Sequence, residues 1–124
     1  MRIKKVKIGI KSFEDFLEGA KDVMKRLEKG EKVKRQSGVY FENLKAFRKA
    51  LTEKRLEMLH VIKEKHPQSI YELAKMLNRD IKNVTQDVEY LKQVGLVELK
   101  RTEEKRERII PFVGYELIDL QIAV

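Results

Sequence analysis

Apolar and polar positions change period several times along the chain, and each change predicts an element. Residues 2–10 alternate, with Val6, Ile8 and Ile10 on one side, which predicts a strand. Ser12 followed by Asp15 has the form of a helix-capping pair. From there Phe13, Phe16, Leu17, Ala20, Met24 and Leu27 recur at helical spacing until Gly30. A second strand is expected over 32–41, then a short helix from Asn43 with Leu44, Phe47 and Leu51 turned inward.

Beyond Thr52 the pattern becomes that of three helices and a hairpin. Thr52 is placed to cap a helix with Leu56, Leu59 and Ile62 as its apolar set. His66-Pro67 is expected to stop it, because a residue before proline is pushed out of the helical region. Ser69 and Glu72 form a capping box before Ile70, Leu73, Ala74 and Leu77, which share one helical face. Asn78-Arg79-Asp80 reads as a tight turn, since Asn tolerates left-handed backbone angles. Asp80 is expected to cap a third helix, over 81–94, whose buried stripe is Ile81, Val84, Val88 and Leu91, with Gly95 closing it. Residues 96–100 and 109–113 are predicted strands around the charged stretch 102–108. Residues 115–124 are apolar-rich, and Ile118, Ile122 and Val124 favour a strand.

These elements predict an α+β chain in three parts: a basic α/β extension over 1–50, a winged helix-turn-helix over 51–113, and a C-terminal apolar strand or packing segment over 114–124. Small Ala74 would let the third helix cross the second closely. At about 100° per residue, the face opposite the buried stripe carries Lys82, Asn83, Gln86, Tyr90 and Gln93. Asn and Gln can read adenine with two hydrogen bonds, and Lys reaches guanine or phosphate. Lys82, Asn83 and Gln86, nearest the helix start, are the candidate base contacts. Thr85 on the flank and Arg79 ahead of the helix are candidate phosphate contacts. An ordinary solvated helix face would carry some of the same residue types.

The segment 51–99 resembles winged-helix regulators of the broad MarR-like and ArsR-like type. The likeness rests on Leu73-Ala74-Lys75, Val84, Asp87-Val88, Leu91 and Gly95-Leu96-Val97. The wider stretch, with Leu51-Thr52-Glu53-Lys54-Arg55-Leu56 ahead of Ser69-Ile70-Tyr71-Glu72-Leu73-Ala74, is similar to a small archaeal group of transcriptional regulators. The resemblance implies a DNA-binding regulator, or the DNA-binding antitoxin-type component of a small operon, acting as a homodimer on double-stranded DNA.

Charge sharpens and complicates this expectation. The 124 residues carry a net +8, which favours a polyanionic partner. All of the excess lies in 1–51, with 15 Lys/Arg against 7 Asp/Glu, while 52–124 has 13 of each. In the wing position, Lys100, Arg101, Lys105, Arg106 and Arg108 are candidate backbone or minor-groove contacts, interspersed with Glu103, Glu104 and Glu107. A neutral winged helix also fits a protein–protein adaptor that makes no DNA contact. Lys32, Lys34 and Arg35 beside Tyr40 and Phe41 leave RNA binding by the N-terminal part as a further reading. In a dimer those three basic residues would supply the missing positive potential.

Other chemistry is not expected. The chain has no Cys, which removes disulfides and thiolate chemistry and fits a reducing cytoplasm. His60 and His66 are six apart and do not share a helix face, so no zinc site is expected. The glycines are scattered singly, without a phosphate loop. No cofactor, catalytic group or membrane span of about 20 apolar residues is expected, and the chain is read as a binding protein rather than an enzyme.

Overall fold

A computed structural model describes residues 3–33, 38–102 and 108–124. Among these residues the fold is mixed, with five helices and five strands. Strand β1 (Lys5–Ile10) leads into α1 (Phe13–Glu28), β2 (Val39–Phe41) and α2 (Leu44–Ala50). Three further helices follow: α3 (Glu53–Lys65), α4 (Ile70–Leu77) and α5 (Ile81–Val94). Strands β3 (Glu98–Arg101), β4 (Ile109–Phe112) and β5 (Leu117–Ile122) complete the order. None of the helices is long and apolar enough to cross a membrane.

Local signals start and stop the helices. Ser12, Asn43, Thr52 and Ser69 each accept a hydrogen bond through the side chain from the backbone N–H three residues on. Those bonds satisfy donors that a helix N-terminus leaves open. Asp80 departs from expectation: it occupies the cap position of α5 but makes no side-chain cap bond. α4 ends at Asn78 and α5 at Gly95, both left-handed with φ of 52° and 91°. His66 ends α3 where expected, yet its φ of 48° is left-handed rather than extended.

The last strand joins the first. β1 is the central strand of a parallel sheet in the order β2-β1-β5. In register, Val6, Ile8 and Ile10 stand beside Ile118, Leu120 and Ile122, while Val39 and Phe41 flank Ile8 and Ile10 on the other side. Over β1 and β2 this face packs on the helices, whereas Leu120 and Ile122 of β5 are exposed. Ile8, Ile10 and Phe41 belong to the same buried cluster as Met58, Leu59, Ile62, Leu73, Val84, Val88, Leu91 and Val113. The opposite face carries Lys5, Lys7, Gly9 and Tyr40, with Leu117 and Asp119. Gly9 leaves room for the Tyr40 ring, which would lie 2.8 Å from a Cβ there.

Helix α1 crosses over this outer face, as a parallel β-α-β connection requires. Phe16 meets Tyr40 edge-on at 5.7 Å, and the Lys11 ammonium stands 4.6 Å from the Tyr40 ring centre. No residue of α1 is buried. The N-terminal aromatics therefore divide: Phe41 enters the core and packs edge-on against Phe47, while Phe13 and Phe16 stay exposed.

Several sequence expectations are corrected. The second strand is three residues long, and Lys32 and Val33 lie outside it. Leu44, Leu56 and Ile81 are exposed rather than inward, and Ala50 takes the buried position of α2. Each of the three lies at the margin of its apolar stripe, where spacing alone does not fix which way a side chain turns. Leu96 and Val97 are buried but precede β3, held by backbone bonds to the Leu91 carbonyl at the end of α5.

Candidate nucleic-acid interface

Helices α3, α4 and α5 pack together, and the antiparallel pair β3–β4 follows directly. Ser69 and Asn78 bound α4, so the turn 78–80 is short and α5 starts at once. The stripe Val84, Val88 and Leu91 is fully buried, which fixes the rotation of α5 about its axis. Lys82, Asn83, Gln86 and Gln93 are consequently exposed. Glu89 shares this exposed side, is an addition to the expected set and brings a negative charge onto it, while Lys92 is exposed at the margin of the buried stripe.

Three other predicted contacts already have partners in the fold. The Arg79 guanidinium donates through Nη2 to Asp87 Oδ2 at 2.8 Å. Asp87 Oδ1 accepts from Arg55 Nε at 3.1 Å. Arg55 also donates to the carbonyls of Lys49 and Ala50 at 2.8 and 3.0 Å, and so closes the C-terminus of α2. Its guanidinium lies 4.3 Å from the Tyr90 ring centre. Thr85 donates its hydroxyl to the Ile81 carbonyl at 2.7 Å. Asp87 thus ties the turn, the start of α3 and the middle of α5 into one rigid unit. Arg79 keeps one buried nitrogen, Nη1, without a partner.

Sequence reasoning did not find the Arg55–Asp87–Arg79 cluster. Its signal is a carboxylate at the edge of a buried stripe, adjacent to Val88, where an ionised group needs a partner. Tyr71 and Lys75 were also missed. Both are exposed on α4 beside the turn, with the Lys75 ammonium 4.7 Å from the Tyr71 ring centre. They border the same shallow hollow as Asp80 and Ile81 at the start of α5.

The hairpin pairs Glu98 with Phe112, Leu99 with Pro111, Lys100 with Ile110 and Arg101 with Ile109. Pro111 is tolerated because β4 pairs on one side only. Lys100 places its ammonium 3.6 Å from the Phe112 ring centre. Arg101 and Arg108 are exposed at the outer end. There Thr102 donates its N–H to the Arg108 carbonyl at 3.1 Å, and the Arg108 N–H donates to the Thr102 hydroxyl at 3.3 Å. Lys105 and Arg106 lie outside the described residues, as do Lys34 and Arg35. At the base of the hairpin, Tyr115 donates its hydroxyl to the Leu96 carbonyl at 2.8 Å. Burial pushes its phenol up to about 12.

Lys82, Asn83 and Gln86 share one exposed side of α5. Arg79, Thr85 and Tyr90 form its support, and Arg101 and Arg108 sit apart on the hairpin. No curated protein matches the chain. A family model described as HVO_A0114 matches residues 50–120, from the end of α2 into β5. That is more than half of the 124 residues, and the chain belongs to the HVO_A0114 family.

Proposed function

We propose that this protein is a DNA-binding transcriptional regulator, with 51–113 acting as a winged helix-turn-helix and the whole working as a homodimer. Helix α5 would enter the major groove, and the charged hairpin around 100–108 would follow the backbone. The observation that carries the reading is the exposed side of α5. Its rotation is fixed by three fully buried residues and by the Asp87 cluster, and it presents Lys82, Asn83 and Gln86. Side chains that read base edges need a rigid carrier. In this reading Arg79 and Tyr90 are positioning residues, and Tyr71 and Lys75 join the phosphate contacts.

The test is selection from a random duplex library at two salt concentrations, with the wild type and Gln86→Ala. The expected result is an enriched motif, binding that weakens steeply with salt, and discrimination relaxed by about 1–3 kcal/mol at the Gln86-read base. Weak binding without a motif, unchanged by the substitution, would overturn it. The adaptor reading would then stand. It is favoured by the zero net charge of 52–124 and by exposed Glu89 on the same side of α5.

A further inference from the structure

Strand β5 lies at the edge of its sheet, with β1 on one side and no strand on the other. Leu117 donates its N–H to the Lys4 carbonyl, and Ala123 donates to the Ile10 carbonyl, each at 3.3 Å. Backbone groups along a strand turn to alternate sides, residue by residue. The odd-numbered residues of β5 therefore bind β1. Ile118, Leu120 and Ile122 direct their N–H and C=O groups away from it, and no described residue meets them.

Natural sheet edges are blunted by lysine, proline, bulges or short length. The other edge of this sheet, β2, is three residues long, and β4 of the hairpin carries Pro111. β5 has none of these devices. Its six residues pair with β1 without a bulge, and Asp119 is its only charge. Leu120 and Ile122, on the face shared with Ile8 and Ile10, are 40% and 51% exposed. A row of open donors and acceptors with apolar side chains is a surface for another strand.

We infer that β5 is a homodimer interface, in which two copies pair antiparallel about a two-fold axis at Leu120 and join their sheets edge to edge. The inference gives the proposed homodimer its interface and does not depend on what α5 binds. A two-fold axis perpendicular to the sheet keeps inner faces together, so even-numbered residues oppose even and odd oppose odd. An axis at Asp119 would set two carboxylates directly opposite, which is destabilising. An axis at Gln121 would overlap the strands only over 120–122. The axis at Leu120 overlaps them over 118–122. Ile118 then opposes the partner's Ile122, and Leu120 opposes the partner's Leu120. Each of these pairs closes two backbone hydrogen bonds through the groups left open in one chain. On the other face Asp119 opposes the partner's Gln121, whose amide can donate to the carboxylate, and symmetry repeats the pair. This self-complementary pattern is what an isologous dimer requires. Beside Ile118 lies a hollow walled by Leu56, His60 and Val113, which leaves room for the partner's Ile122.

The test uses the absence of Cys from the chain. Mass in solution, measured without DNA, should be twice 14.7 kDa. Oxidised Leu120→Cys should cross-link to a covalent dimer, because opposed residues of a bonded pair stand about 5.5 Å apart between Cα atoms, within disulfide reach. Gln121→Cys is also exposed but should not cross-link with itself, since its two copies are offset along the strands by about 7 Å. Gln121→Lys should tighten the dimer about threefold or more, because it faces the partner's Asp119 in both halves. Leu120→Pro should weaken it about tenfold or more. That substitution removes an N–H that binds nothing within one chain, so the circular dichroism spectrum should be retained. A monomer at every concentration overturns the inference, as does open-ended assembly. So does a dimer that Leu120→Cys fails to cross-link, that Gln121→Cys cross-links alone, or that Gln121→Lys and Leu120→Pro leave unchanged. A dimer with the expected properties that selects no DNA motif sinks the regulator reading alone.

Discussion

Asp87 accepts from two arginines that come from different elements, and its side chain is only 16% exposed. Removing it strips Arg79 of its carboxylate and leaves Arg55 only its carbonyl bonds and the Tyr90 ring, whereas removing Arg79 leaves Arg55 and Asp87 paired. Asp87→Ala should therefore cost about 2–4 kcal/mol in denaturant unfolding, clearly more than Arg79→Ala. Equal losses would mean that the cluster is not a unit. Tyr115 makes a second residue-scale prediction. Its phenol ionises near 10 when unfolded and is raised to about 12 by burial in the fold. The stability it contributes is complete below pH 10. Between pH 10 and 12 the unfolded chain releases the proton and the folded chain holds it, so stability falls by roughly 2 kcal/mol. Tyr115→Phe should flatten that alkaline decline, read from unfolding midpoints at successive pH values.

At the scale of elements, legibility followed the distance over which each signal acts. The capping roles of Ser12, Asn43, Thr52 and Ser69 were readable because cap and helix are adjacent in sequence. The left-handed Asn78 and the closing Gly95 were readable for the same reason. Gly95→Ala would force a side chain into φ 91°, with its Cβ 3.3 Å from Val39, and should destabilise by about 1–2 kcal/mol in thermal unfolding. Exposure of Lys82, Asn83 and Gln86 also followed from periodicity alone. The engagement of Arg79 did not, since Asp87 is eight residues on, across a turn and two turns of helix. Nor did the fate of α1: its period marked an apolar face, yet none of its residues is buried.

Across the whole molecule, charge is the least local property. The excess of +8 lies in residues 1–51. Part of it, Lys4 and Lys5, borders a hollow shared with Gln93 and Gly95 at the C-terminal end of α5. If the protein binds duplex DNA, Lys4→Gln with Lys5→Gln should lower affinity for all sequences alike and reduce the salt dependence, leaving the selected motif unchanged. A changed motif would mean that these lysines read bases. The strand order β2-β1-β5 was not legible, because no period in the sequence states which strands will be neighbours.

That order bears on how the chain reaches its native state. Lys4 donates its N–H to the Glu116 carboxylate, 112 positions away, and six consecutive pairings between β1 and β5 follow. Such contacts close late, because the entropy of the intervening loop must be lost first. During synthesis β1 emerges before β5 and holds one unpaired edge until β5 has emerged as well. Over that interval the backbone N–H and C=O groups along that edge of β1 are unpaired, which is the state in which a strand edge templates mispairing.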